Sequence, residues 1–160
     1  MQTTTWGSSA WEYLHSITFN YPIKPTDIDK KKHLLYFKLV GELLPCNICR
    51  ESYKLFTKYL HLKYYLADRN AITYWLFYIH NLVNLKLNNK LYKFVDVILK
   101  YENYRANLNN RKIVYDDIIE SHNNTIMLYQ DISHKRTLTM INENRTNKYI
   151  IALKENIHKK

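Results

Sequence analysis

Ile72-Thr73-Tyr74-Trp75-Leu76-Phe77-Tyr78-Ile79-His80-Asn81-Leu82-Val83-Asn84-Leu85-Lys86-Leu87 is the most periodic stretch of the 160-residue chain. Ile72, Trp75, Leu76, Ile79, His80, Val83, Asn84 and Leu87 recur every three to four positions, the spacing that gathers side chains on one face of an α-helix. The stripe is wide enough to face a core. It therefore carries two polar groups, His80 and Asn84, into surroundings where each needs a hydrogen-bond partner. Punctuation outside this stretch supports the same class. Both glycines (Gly7, Gly41) and all three prolines (Pro22, Pro25, Pro45) lie within the first 45 residues. The residues that most often turn strands are missing after Pro45, and an all-α protein is expected.

Upstream, Ser9 with Glu12 and Thr26 with Asp29 match capping boxes. They predict a helix over 9–20 and another from 26 to Leu43, separated by Tyr21-Pro22-Ile23-Lys24-Pro25. Pro45 stops the second and opens a third, to about Leu60, because proline suits a first helical turn. A further short helix around 92–104 completes a four-helix bundle with a fifth short helix, expected as a domain over 1–104. Residues 105–160 read as a C-terminal extension of undetermined structure and role. Tyr115, Ile118, Ile119, His122, Ile126 and Tyr129 keep helical spacing there, while 137–141 and 149–153 fit helix or strand equally.

A 46% hydrophobic content excludes a disordered chain. The formal charge of +10 divides into +7 over residues 1–100 and +3 over the rest, and Lys30, Lys31 and Lys32 form its only triple. Charge spread in this way reads as a solvated surface. It weighs against a basic helical nucleic-acid-binding protein, which stands as the alternative function. With no basic segment leading into an apolar stretch, and no window near the ~20 apolar residues of a membrane span, a soluble intracellular protein is expected.

Cys46 and Cys49 are the only cysteines. Three apart at a helix start, they can close a disulfide, and the positive end of the helix stabilises a thiolate. Half of a zinc site is the other reading of the pair. It would need two more ligands from His15, His33, His61 or His80, which are not spaced as a ligand pair. A thioredoxin fold fits poorly, since no proline follows Pro45. Trp75, His80, Asn81, Val83 and Asn84 on one helix, with Trp6, Gly7, Trp11 and His15 near the N-terminus, supply aromatic walls and a few directed donors. That combination suits a flat heteroaromatic cofactor.

Taken together, Trp6-Gly7-x3-Trp11-x2-Leu14-His15, Tyr21-Pro22, Pro45-Cys46-x2-Cys49 and Trp75-x4-His80-Asn81-x-Val83-Asn84-x2-Leu87 resemble the Erv/ALR flavin-linked sulfhydryl oxidases over residues 6–95. The Asn- and Lys-rich style looks most like the members encoded by large cytoplasmic DNA viruses, implying the host cytoplasm with its viral factories, or the virion. The resemblance implies a helical bundle holding FAD, usually as a homodimer. It implies Cys46 as the interchange cysteine and Cys49 as the flavin-proximal one. Gly7, Ser8, Trp11 and His15 match one set of cofactor-binding positions, and His80, Asn81, Val83 and Asn84 a second. Lys90 stands beside Asn89, where the family often has lysine. Electrons would pass from a protein dithiol, or from a thioredoxin-like intermediary, through the Cys46–Cys49 disulfide to FAD, and then to O2, giving hydrogen peroxide. No shuttle or structural cysteine pair is present, so the substrate would reach Cys46 directly.

Overall fold

The N-terminal threonines and Trp6 carry the first helix well upstream of Ser9. In the computed structural model, which describes residues 1–108 and 115–157, α1 runs Thr3–Phe19. Gln2 precedes it without a side-chain cap, and Ser9 lies inside the helix. Its expected partner Glu12 is engaged elsewhere, with Lys100 at 3.2 Å and the Tyr104 hydroxyl at 3.2 Å. The Thr26–Asp29 box does form. The Asp29 N–H donates to the Thr26 hydroxyl and the Thr26 N–H to the Asp29 carboxylate, which starts α2 (Asp27–Leu43). Pro45 then breaks the chain, and Cys46 becomes the N-cap of α3 (Asn47–Tyr59) rather than its first residue.

A 3-10 turn, Leu62–Tyr65, leads to α4 (Arg69–Lys86), capped by Asp68, which accepts from the Ala71 N–H at 2.9 Å. Three helices follow: α5 (Phe94–Leu108), α6 (Tyr115–Glu143) and α7 (Lys148–Ile157). No strand occurs among the described residues, and both ambiguous segments, 137–141 and 149–153, are helical.

The organising element is α4. Ala71 to Leu76 are all buried, as are Ile79, His80, Leu82 and Asn84, so the helix is covered on nearly every side rather than along one stripe. It is flanked by α1 and α5, and α6 and α7 pack on its remaining faces. Met140, Ile150 and Leu153 of the last two helices lie in the same core cluster as Phe37, Phe56 and Trp75. Tyr65 with Ser133 (2.8 Å) and Tyr78 with Thr137 (3.2 Å) pin α6 in place.

Leu87 departs from the expected stripe and is 56% exposed, because α4 has already ended there. Asn88 takes a left-handed conformation at φ 56°. Its N–H reaches the Leu85 carbonyl at 3.1 Å, and the Asn89 N–H reaches the Asn84 carbonyl at 2.8 Å. This is a Schellman closure, with asparagine in the place glycine usually takes. No helix among the described residues is long and apolar enough to cross a membrane.

Candidate active site

Cys46 and Cys49 are joined as a disulfide across the first turn of α3, with Cα atoms 5.1 Å apart. Both are half-buried. The turn is braced by Arg50, whose guanidinium donates to the Leu44 carbonyl and, at 3.3 Å, to the Asn47 side chain. Among the described residues no three His, Cys, Asp or Glu side chains converge on a metal-sized space.

The disulfide opens onto a cavity of about 780 Å³ between α1, α3, α4 and α5. Trp11 forms one wall and stacks on His80, ring centroids 3.9 Å apart and planes 7° from parallel. His15 lies behind, its Nε2 3.2 Å from His80 Nδ1, with the Tyr101 ring stacked against it at 5.1 Å. Burial pushes His15 down to about 3 and His80 to about 4, so both rings are neutral at physiological pH. The neighbouring charge of Lys100 and the pairing with His80 add to the effect on His15.

Among the described residues three buried side-chain polar atoms have no hydrogen-bond partner: Trp6 Nε1, His15 Nδ1 and Asn84 Nδ2. All three residues line this one cavity. A buried polar group left unpaired costs about 1–3 kcal/mol. Three such groups around one space are what a polar ligand would repair. A larger groove, about 900 Å³, runs between α2 and α3, but neither cysteine nor any unpaired buried polar atom lines it.

Of the residues singled out in the sequence, Gly7, Ser8, Trp11, His15, Cys46, Cys49, His80, Val83 and Asn84 all line the cavity. Asn81, Lys90 and Trp75 do not. Trp75, expected as an aromatic wall, is buried in the core with its indole N–H donating to the Leu60 carbonyl at 2.7 Å. The Asn81 amide exchanges two 2.9 Å hydrogen bonds with the backbone of Tyr92, fixing the loop after α4 and placing the Tyr92 ring edge-on to His80. Lys90 is exposed on that loop. The cations that do line the cavity are Lys86 and Lys100. Neither was singled out, although Lys86 stands three residues after Val83 and so shares its face of α4.

A family model described as the Erv1 / Alr family matches residues 8–105. The chain is 31% identical over 99 residues to a probable FAD-linked sulfhydryl oxidase of Acanthamoeba polyphaga mimivirus, covering 61% of this chain and 69% of that one. It is 30% identical over 97 residues to the FAD-linked sulfhydryl oxidase ERV2 of Saccharomyces cerevisiae, covering 60% and 48%, so it spans about half of that relative. The crystal structure of the FAD binding domain of Erv1 from Saccharomyces cerevisiae matches with a TM-score of 0.57 at 28% identity, over 64% of this chain and 96% of that one. The family match runs from Ser8 through most of α5, taking in the disulfide and the histidine pair, and the chain belongs to the Erv1 / Alr family.

Proposed function

We propose that the protein is an FAD-dependent thiol oxidase that makes disulfide bonds in protein substrates. The observation that carries this reading is that the Cys46–Cys49 disulfide opens onto the cavity lined by Trp6, His15 and Asn84, whose Nε1, Nδ1 and Nδ2 atoms respectively are left without partners. The names of the relatives supply FAD, and the lining residues suit it. Trp11, Tyr92 and Tyr101 are flat apolar walls, Trp6 and Asn84 have N–H groups to spare, and Lys100 offers positive charge to a diphosphate. Bound there, FAD supplies a two-electron acceptor whose reoxidation by dioxygen gives hydrogen peroxide.

The protein's own share is thiol exchange and charge placement. A substrate thiolate attacks Cys46 Sγ, the sulfur–sulfur bond breaks, and the electron pair passes to Cys49 Sγ. The second substrate thiolate then attacks the mixed disulfide, leaving oxidised substrate and a reduced Cys46. Cys46 sits at the N-terminus of α3, whose partial positive charge favours the thiolate over the thiol. In this reading a protein dithiol or a thioredoxin-like intermediary is the donor that attacks Cys46.

A homodimer is supported by the exposed Ile28, Leu35, Leu39 and Leu43 along one side of α2. Likeness to a mimivirus protein supports a viral origin, with the host cytoplasm or the virion as the place of action.

The purified protein is expected to be yellow and to consume oxygen when given a dithiol. Colourless, folded protein from flavin-replete cells would refute the reading.

A further inference from the structure

The last described helix, α7, lies beyond the matched residues 8–105, yet it packs on α4 beside Lys86, a residue that lines the cavity. We propose that α7 is a positioning element for the thiol chemistry: Tyr149 and Asn156 hold the Lys86 ammonium at the Cys49 end of the cavity. There its charge stabilises the electron pair left on Cys49 Sγ when a substrate thiolate attacks Cys46 Sγ and the sulfur–sulfur bond breaks. The inference rests on the oxidase reading and adds to it a source of thiolate stabilisation.

Lys86 stands in the last turn of α4, and its Nζ donates to Ser52 Oγ at 3.0 Å. Ser52 follows Cys49 by three residues on α3, so the two share a helix face one turn apart. The Ser52 hydroxyl also lies 3.3 Å from the Cys49 carbonyl. Lys86, Ser52 and Cys49 all line the cavity. Among the described residues no carboxylate pairs with Lys86, and burial pushes its ammonium below the ordinary lysine range. A charge in that position is uncompensated and available to an anion.

The surroundings of Lys86 keep it so. The Tyr149 ring lies under the ammonium, Nζ 5.3 Å from the ring centroid. The Asn156 side chain donates to the Leu85 carbonyl at 2.9 Å and the Lys86 carbonyl at 3.3 Å, fixing the turn from which Lys86 projects. Glu51, the acid nearest on α3, is held elsewhere. The Tyr149 hydroxyl donates to one of its oxygens, Asn47 donates to the other at 3.1 Å, and Lys148 stands 3.9 Å away. Tyr149 therefore acts twice, presenting a ring face to the cation and occupying the carboxylate that could otherwise neutralise it. Arg50, the remaining cation beside the cysteines, is committed to Leu44 and Asn47.

The test uses the full chain in a Cys46→Ser background, where Cys49 is the only thiol. The rate of alkylation by iodoacetamide is measured against pH, which needs no cofactor. Lys86→Met is expected to move the midpoint upward by about one unit, so that about tenfold less thiolate reacts at neutral pH. Lys86→Arg should restore most of the reactivity. Tyr149→Phe keeps the ring but frees Glu51, and should move the midpoint the same way by a smaller amount. Identical titrations for Lys86→Met and its parent would overturn the proposal. A shift with Lys86→Met but none with Tyr149→Phe would overturn the part given to α7. Absence of bound flavin would remove the oxidase reading and leave this titration fully informative.

Discussion

His15 Nε2 and His80 Nδ1 face each other at 3.2 Å in the interior, one imidazole from α1 and one from α4. One proton serves that contact, and burial holds His15 to about 3 and His80 to about 4. In the unfolded chain both return to roughly 6.5, so at mildly acid pH the unfolded state binds more protons. The stability tied to the neutral pair is complete above about pH 6.5 and drains away as pH falls toward the folded values. Thermal unfolding followed by circular dichroism from pH 7.5 to 4.5 should show Tm falling with acid. His15→Gln should flatten that slope; an unchanged slope would mean that another group sets it.

The two cysteines should separate chemistry from cofactor binding. Cys46→Ser and Cys49→Ser each remove one end of the disulfide while leaving the aromatic walls and the histidine pair in place. Oxygen consumption with a dithiol is expected to fall to background in both, with the flavin absorbance band retained. Wild-type turnover in Cys49→Ser would refute its assigned role.

The two glycines predict opposite outcomes. A Cβ at Gly41 would run into the Tyr53 ring, which is buried and anchored by its hydroxyl to the Phe37 carbonyl at 3.0 Å. Gly41→Ala should cost about 1–3 kcal/mol by forcing α2 and α3 apart. At Gly7 the nearest atom to an added Cβ is that of Thr3, at 4.0 Å. Gly7→Ala in the cofactor-free protein should therefore gain up to roughly 1 kcal/mol of helix propensity. Denaturant midpoints at fixed m-value decide both.

Helical class and the placement of His80, Val83 and Asn84 on the inward face of α4 could be read from residue spacing, because burial and periodicity report the same geometry there. The Thr26–Asp29 cap was legible because a capping box is local, involving one side chain and the next turn. Ser9 with Glu12 matched the same pattern and failed for a reason no local rule contains. Glu12 is drawn to Lys100 and Tyr104, 88 and 92 positions away in sequence. Lys86 and Lys100 were missed on similar grounds. Lys86 near the end of α4 would ordinarily face water, and packing of α7 against it turns it inward. Lys100 stays exposed in the middle of α5 and is held at the cavity rim by Glu12 of α1. The undecided segments at 137–141 and 149–153 became helical because α4 is apolar nearly all round, and their apolar residues supply the cover it lacks.

That cover makes the C-terminal helices testable as part of the core. Ile150 and Leu153 of α7 and Met140 of α6 have no accessible surface, and they belong to the cluster around Trp75. Ile150→Ala removes three buried carbons from a closed site and should cost about 2–4 kcal/mol. All three tryptophans, Trp6, Trp11 and Trp75, lie on α1 or α4, so indole emission reports those helices and not the C-terminal ones. If α7 shares the core cooperatively, Ile150→Ala will lower the midpoint of the tryptophan transition and of the helical signal together. A tryptophan midpoint unmoved by Ile150→Ala, with only part of the helical signal lost early, would show α7 melting as a separate appendage.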